Sequence, residues 1–419
     1  MSCRADDVEK RFYEAMREFY PFEDDAELVV AVSGGSDSMA LTFLLNDYVA
    51  KYGGKLVALT VDHGLRPESA SEAAEVHAVL TKHGIHHEIL PWHGDKPHTA
   101  VEEKAREARY DLLFTYMRER GLLHLFVAHT MDEQAETFLL RMRRGSGIEG
   151  LSAINAEVLY RDLRVLRPLL GFTKNELRDY LKEKGIDWVD DPANFDTSYD
   201  RVKVRHLLKI MDGYGLGAEC IDRAVSGIKR AKNAIDVYAT KVMAETVSLD
   251  FCGFVRLDAE RLLSHPQEVV FRVLSRIIFV VSGNHVPVRL EKIASLADRL
   301  TSVGKGMTLG GCFIKQYRGK VVFVREVSFL PPKVVFADKG RWGHFTISAP
   351  GFRGILGALG ADGYAQIREK TRKRYFSAVT YGLPALFHDK KVVFVPHLRY
   401  YADKFVEIDC KLDIECSLT

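Results

Sequence analysis

No Cys-x-x-Cys pair occurs in the sequence, and its six cysteines (Cys3, Cys220, Cys252, Cys312, Cys410, Cys416) lie far apart except for the last two. That spacing argues against a zinc site, an iron-sulfur cluster or a redox dithiol, and scattered reduced thiols are expected. Long apolar runs are missing too: none is long enough to span a bilayer, and residues 1–9 are polar and acidic rather than signal-like. No membrane partner is expected, and a cytoplasmic location is. There is no internal repeat or low-complexity tract. The lysine of the common phosphate loop, Gly-x-x-x-x-Gly-Lys-Ser/Thr, is also absent. Gly304-Lys305-Gly306-Met307-Thr308 comes nearest, but without the upstream glycine or a hydroxyl residue after the lysine it reads as a basic turn.

What is present is an ordinary globular composition, 47% apolar and 28% charged, over 419 residues. That length suggests about two or three domains. The net charge of +2 hides an asymmetry: residues 1–150 carry about nine more acidic than basic side chains, and the remainder about eleven more basic than acidic. A basic half joined to an acidic one suits a polyanion such as RNA.

The chain is organised around Ser33-Gly34-Gly35-Ser36-Asp37-Ser38. An apolar run at 28–32 precedes this stretch and a helix-like run at 39–45 follows it. Strand, glycine turn and helix start together form a phosphate-holding arrangement, with close backbone N–H groups and the positive end of a helix. Asp37 alone would repel phosphate, so its presence points to Mg²⁺ between carboxylate and phosphate oxygens.

A second apolar run, 56–61, opens into Asp62-His63-Gly64-Leu65-Arg66-Pro67. In an open parallel sheet, ligands lie beyond the carboxyl ends of the strands, so the two loops are expected to be neighbours. A long helix over 99–120 carries Arg106 and Arg109. A further strand at 122–128 opens into His129-Thr130-Met131-Asp132-Glu133-Gln134-Ala135-Glu136, where Asp132 and Glu136 share a helical face. Arg141, Arg143 and Arg144 then lead into a glycine-rich segment, 145–151, read as a flexible basic loop. Histidines 83, 86, 87, 93 and 98 lack cysteine partners and fall on both sides of a strand, which disfavours a metal cluster.

These motifs carry a resemblance. The 33–38 loop resembles the pyrophosphatase loop of the adenine nucleotide α-hydrolase superfamily. The 62–66 loop, 132–137, Arg144-Gly145-Ser146-Gly147, Arg167-Pro168-Leu169-Leu170 and Asp190-Asp191-Pro192-Ala193-Asn194 are similar to the tRNA(Ile)-lysidine synthase family, densely from about 28 to 210.

The resemblance implies an α/β fold: an open parallel sheet of the adenine nucleotide α-hydrolase type with helices on both faces. It also implies ATP and Mg²⁺ as co-substrate and cofactor, free L-lysine and the CAU-anticodon tRNA(Ile) as substrates, and a monomer or homodimer. ATP would adenylate C2 of the wobble cytidine and lysine would then displace AMP. The alternative is a cytidine-thiolating relative, a type that typically needs paired cysteines.

On this resemblance Ser33, Gly34, Gly35, Ser36, Asp37, Ser38, Asp62 and His63 bind the nucleotide, and Asp37 and Asp132 hold the metal. Asp37, Asp132, Glu133, Glu136 and Arg205 are the catalytic candidates, and Arg106, Arg109, Asn194, Arg201 and Arg205 contact substrate. Two departures stand out. Glu133 replaces a common aspartate, and Val202 replaces the asparagine of an Arg-Asn-x-x-Arg element whose arginines survive as Arg201 and Arg205.

Beyond this, a helix is expected at 173–184, a boundary around 211–218, helical periodicity over 220–300, and strands over 308–325 with a turn at Arg318-Gly319. Pro331-Pro332 reads as a second linker, and Arg368-Glu369-Lys370-Thr371-Arg372-Lys373-Arg374 as a phosphate-contacting segment. The expected domains are a catalytic domain at 1–215, a mainly helical domain at 216–330 and a small basic α+β tRNA-binding domain at 331–419.

Overall fold

The computed structural model describes residues 5–65, 68–94, 96, 101–160, 162–189, 200–284, 286–304, 306–371, 375–402 and 409–412. The chain divides into two units, Met1–Lys232 and Asn233–Thr419. Among the described residues, no helix is long and apolar enough to cross a membrane.

In chain order the first unit contains α1 (Ala5–Met16), β1 (Glu27–Ala31), α2 (Ser36–Tyr52), β2 (Lys55–Asp62), α3 (Ser69–Lys82), β3 (His86–Pro91), α4 (Val101–Arg120), β4 (His124–Phe126) and α5 (Met131–Arg143). There follow α6 (Ile148–Leu151), β5 (Glu157–Tyr160), β6 (Leu163–Leu166), α7 (Lys174–Lys184), α8 (Asp200–Asp212) and α9 (Ala218–Thr246), the last running past the unit's end. The strands form one sheet in the order β3-β2-β1-β4-β6-β5, parallel throughout except for the antiparallel edge strand β5. The apolar run at 122–128 thus contributes only a three-residue strand. The β5–β6 hairpin did not stand out in the sequence because β5 is exposed along its whole length.

Side-chain alternation along β1 explains the layering. Leu28 and Val30 join Phe12, Met16, Leu41, Leu44, Leu177 and Tyr180 in a core beneath α1, α2 and α7. Val29 points the other way, into a second core with Leu59, Leu113, Met117 and Leu125 beneath α4. With helices covering both faces, the strands read as near-continuous apolar runs. A smaller cluster of Ala135, Leu139, Val204, Ile221 and Val225 joins α5, α8 and α9.

The second unit holds two antiparallel sheets. The first is β7 (Val247–Leu249), β8 (Val255–Leu257), β9 (Met307–Leu309), β10 (Cys312–Tyr317) and β11 (Lys320–Arg325), ordered β7-β8-β11-β10-β9. It packs against α10 (Ala259–Leu263), α11 (Gln267–Ser282) and α12 (Leu290–Arg299). The turn expected at Arg318-Gly319 joins β10 to β11, with both residues at positive φ (51° and 76°).

The other sheet comprises β12 (Val334–Trp342), β13 (Phe345–Ala358), β14 (Pro384–His388), β15 (Lys391–Val395), β16 (Tyr400–Tyr401) and β17 (Asp409–Leu412). Two short helices, α13 (Gly360–Ile367) and α14 (Ser377–Gly382), lie in the connection from β13 to β14.

Helix α7 matters most for the site. Thr173 caps it through its side chain, Glu176 reaches back to the Thr173 N–H, and Arg11 of α1 pairs with Glu176. Thr173→Ala is expected to lower the stability of the first unit by about 1 kcal/mol, read as a lower urea midpoint. Thr173→Ser keeps the accepting oxygen and is expected to hold the wild-type midpoint.

Candidate active site

The loop after β1 has the geometry that its sequence suggests. Gly34 sits at φ +84°, and a Cβ there would meet Val76 Cγ2 at 2.8 Å, so both backbone and packing require glycine. Gly35 is the extended N-cap of α2, and the first intrahelical bond runs from the Met39 N–H to the Gly35 carbonyl. The amides of Ser36, Asp37 and Ser38 therefore have no acceptor within the helix, which is the condition for holding an anion. Ser38 Oγ braces the loop, accepting from the Ser33 N–H at 3.1 Å and donating to the Gly35 carbonyl at 3.0 Å. The Val189 N–H donates to the Gly34 carbonyl at 2.9 Å, bringing the segment that leads into 190–194 against the loop. Asn194 itself lies outside the described residues.

A buried relay supports the loop from below. Thr60 donates to the Val32 carbonyl at 3.0 Å and accepts from His87 Nε2 at 2.8 Å. His87 Nδ1 then faces His77 Nδ1 at 3.0 Å. This network assigns the proton of His87 to Nε2. Burial, with His77 and His86 adding to it, pushes the His87 pKa down to about 4.

The acidic side chains gather at the start of α5. The structure brings Asp37, Asp132, Glu133 and Glu136 into one electrostatic neighbourhood and adds cations from two later helices. Arg205 Nε of α8 donates to the buried Glu136 at 2.6 Å. Lys174, the first residue of α7, places Nζ 3.2 Å from Asp37 Oδ2, while its backbone N–H donates to Asp132 Oδ2 at 2.8 Å. Burial raises the pKa of Glu133, and Asp37 and Glu136 raise it further, against the pull of Lys174 and Arg201. Burial alone would lower the pKa of Lys174, but Asp37 and Glu133 outweigh it and the net shift is upward. Val202 is buried, its apolar side chain facing the packing rather than solvent.

The arginines form a second group. Arg167 Nε donates to His129 Nδ1 at 3.3 Å, and Arg109 donates to His63 Nε2 at 3.2 and 3.3 Å. Arg106 lies over the Tyr110 ring, 5.2 Å from its centroid. His129 is pushed down to about 3, by burial first and then by Arg167, Arg106, Arg201 and Arg109. His63 falls to about 4 through burial, Arg109 and Lys96. Two neutral histidines thus accept from guanidinium groups, a donor set suited to an anion. Asp62 turns inward: its Oδ1 takes the Gly64 N–H at 2.9 Å and the Ser69 hydroxyl at 2.7 Å, closing the loop after β2.

One expectation needs correction. Segment 145–151 is not simply a flexible basic loop: it includes the helical turn α6, and Arg141 turns inward to donate to the Gly150 and Ala153 carbonyls at 2.9 and 2.8 Å. In the sequence Lys174 is one charge within the helix expected at 173–184, and Arg167 is marked only by the motif at 167–170. The one local signal for Lys174 was its place directly after the capping Thr173.

Comparison with known proteins bears on this geometry. Residues 5–211 match the family model of the PP-loop domain. The chain is similar to the tRNA(Ile)-lysidine synthase of Ruegeria pomeroyi, 35% identical with 83% of each chain covered. It is also similar to that of a Bradyrhizobium species, 40% identical over 71% of this chain and 86% of the other. The enzyme of the same name from Wolbachia pipientis is 31% identical, with 89% of each chain covered.

The histidines set a pH dependence. His63, His87 and His129 titrate below their ordinary 6.5 in the folded chain. The unfolded chain therefore takes up protons first as pH falls through about 6.5. Stability held above that pH is expected to decline until the folded values, about 4 and about 3, are reached. His87→Gln is expected to make this decline shallower, measured as urea midpoints from pH 7 to 4. An unchanged slope would contradict the assignment for His87.

Proposed function

The chain belongs to the tRNA(Ile)-lysidine synthase family, a family of C–N bond-forming ligases, and from that premise we propose that it joins free L-lysine to C2 of the wobble cytidine of CAU-anticodon tRNA(Ile) in two steps. In the first, the C2 oxygen attacks the α-phosphorus of ATP and pyrophosphate leaves. In the second, the ε-amine of lysine attacks C2 and AMP leaves with the oxygen. The observation that carries this reading is the gathering of charged side chains at the carboxyl ends of the strands. Asp37, Asp132, Glu133 and Glu136 stand with the phosphate loop and with Lys174 and Arg205, while Arg167 donates to His129, whose pKa Arg106, Arg109 and Arg201 also lower.

Each group has its own chemistry. The loop amides at 36–38 hold the departing pyrophosphate. Asp37 and Asp132 are hard oxygen donors bound to the two ends of one residue, Lys174. Among the described residues, no group of three or more His, Cys, Asp or Glu is placed to hold a metal ion by itself. That pair fits Mg²⁺, which is usually held by one or two carboxylates together with substrate phosphates. When bound, the ion would neutralise charge on those phosphates.

Glu133 is the proposed acceptor of the lysine ammonium's proton, because its raised pKa makes it a better base than an ordinary carboxylate. Glu136 is the less suited, since Arg205 already occupies one of its oxygens. The arginine group takes the RNA phosphates beside the cytidine, with Asn194 and Arg205 as further substrate contacts. The basic stretch at 368–374 binds the tRNA body, and 331–419 serves as the tRNA-binding domain. Of that stretch, Arg372, Lys373 and Arg374 lie outside the described residues. Cytidine thiolation is less well supported: the Cys252 and Cys312 thiols are buried and pushed up to about 12, unsuited to sulfur transfer.

The reaction is tested by incubating the protein with ATP, Mg²⁺, labelled lysine and CAU-anticodon tRNA(Ile). Label on the RNA that depends on ATP is expected, and its absence would overturn the proposal. Asp37→Ala is expected to abolish pyrophosphate release while tRNA binding survives. Alanine at Arg368, Lys370, Arg372, Lys373 and Arg374 together is expected to weaken tRNA binding and flatten its salt dependence.

A further inference from the structure

The phosphate loop has no lysine of its own, yet the fold delivers one to it. Lys174 heads α7, a helix whose start is fixed by the Thr173 cap, by Glu176 and by Arg11. Its N–H reaches Asp132 and its ammonium lies 3.2 Å from Asp37, itself a residue of the loop. The Lys174 side chain keeps 30% of its exposure and that of Asp37 16%. The pair is thus partly open to solvent rather than sealed in a core.

We infer that Lys174 supplies, from outside the loop, the phosphate-binding ammonium that the loop lacks. In the ligand-free protein it is held by Asp37. When ATP enters, it exchanges that carboxylate for an oxygen of the pyrophosphate portion, leaving Asp37 free for a cation. It keeps its protons throughout and offsets the charge that grows on the leaving group. The inference rests on reading loop 33–38 as the pyrophosphate site, and it deepens that reading by naming a contact from another element.

The test separates a phosphate contact from a mere counter-ion for Asp37. Inorganic pyrophosphate in EDTA is titrated calorimetrically into the full chain, with no RNA, lysine or metal present. Lys174→Met is expected to weaken binding about tenfold or more, the scale of one lost charge-assisted hydrogen bond. Lys174→Arg is expected to retain most of the affinity, and circular dichroism melts check that each variant is folded.

The same comparison is made in the Asp37→Asn background. A phosphate contact predicts that Lys174→Met still costs about tenfold there. A counter-ion predicts no further effect once the carboxylate charge is gone, and that result would overturn the inference. So would equal affinity of the wild type and Lys174→Met, or a wild type that does not bind pyrophosphate. Failure of lysine transfer to RNA would overturn the lysidine reading while leaving this result intact.

Discussion

Like charges brought together at one sheet edge must be held there, and this constraint shapes the first unit. Asp37, Asp132, Glu133 and Glu136 arrive from two strand ends, and the local support, two helix N-termini and the Ser36 hydroxyl on Asp37, balances them only in part. The balance comes from elements later in the chain: Arg205 of α8 on Glu136, and Lys174 of α7 on Asp37 and, through its N–H, on Asp132. A buried carboxylate without a partner would be costly or would take up a proton. The raised pKa of Glu133 reflects burial first, with repulsion from Asp37 and Glu136 added to it. The site is therefore a property of docked helices as much as of the glycine loop.

This explains which features were legible in the sequence. The loop at 33–38, the carboxyl-end loops and the sheet's layering depend on local spacing: an apolar run, two glycines, a hydroxyl residue and a helix. Such patterns survive translation into structure because they are satisfied within a few residues. The β10–β11 turn at Arg318-Gly319 was readable for the same reason. Lys174, the convergence of Arg167 on His129 and the His77–His87–Thr60 relay were not, because each is a contact between elements far apart in the chain. Histidines that resembled scattered ligands prove, at His87, to be a strut beneath the loop. Arg141, expected beside a flexible basic loop, instead turns its guanidinium onto backbone carbonyls.

The two charged groups divide the proposed work. An acidic group can receive an ammonium and a hard cation, whereas guanidinium groups with neutral histidines receive phosphates. Their common position beyond the strand ends follows from the parallel sheet, which directs every connection after a strand to the same rim. Val202, where the resemblance implies an asparagine, is buried, and Arg201 and Arg205 remain on the helix.

The central claim is that ATP is used to turn the C2 oxygen of cytidine into a leaving group. It is tested most directly by following that oxygen, using tRNA whose wobble cytidine carries ¹⁸O at C2 and mass analysis of the products. The account predicts that the label appears in the phosphate of AMP, because the bond from C2 to oxygen breaks when lysine attacks. Label retained in the modified nucleoside or found in pyrophosphate would contradict it.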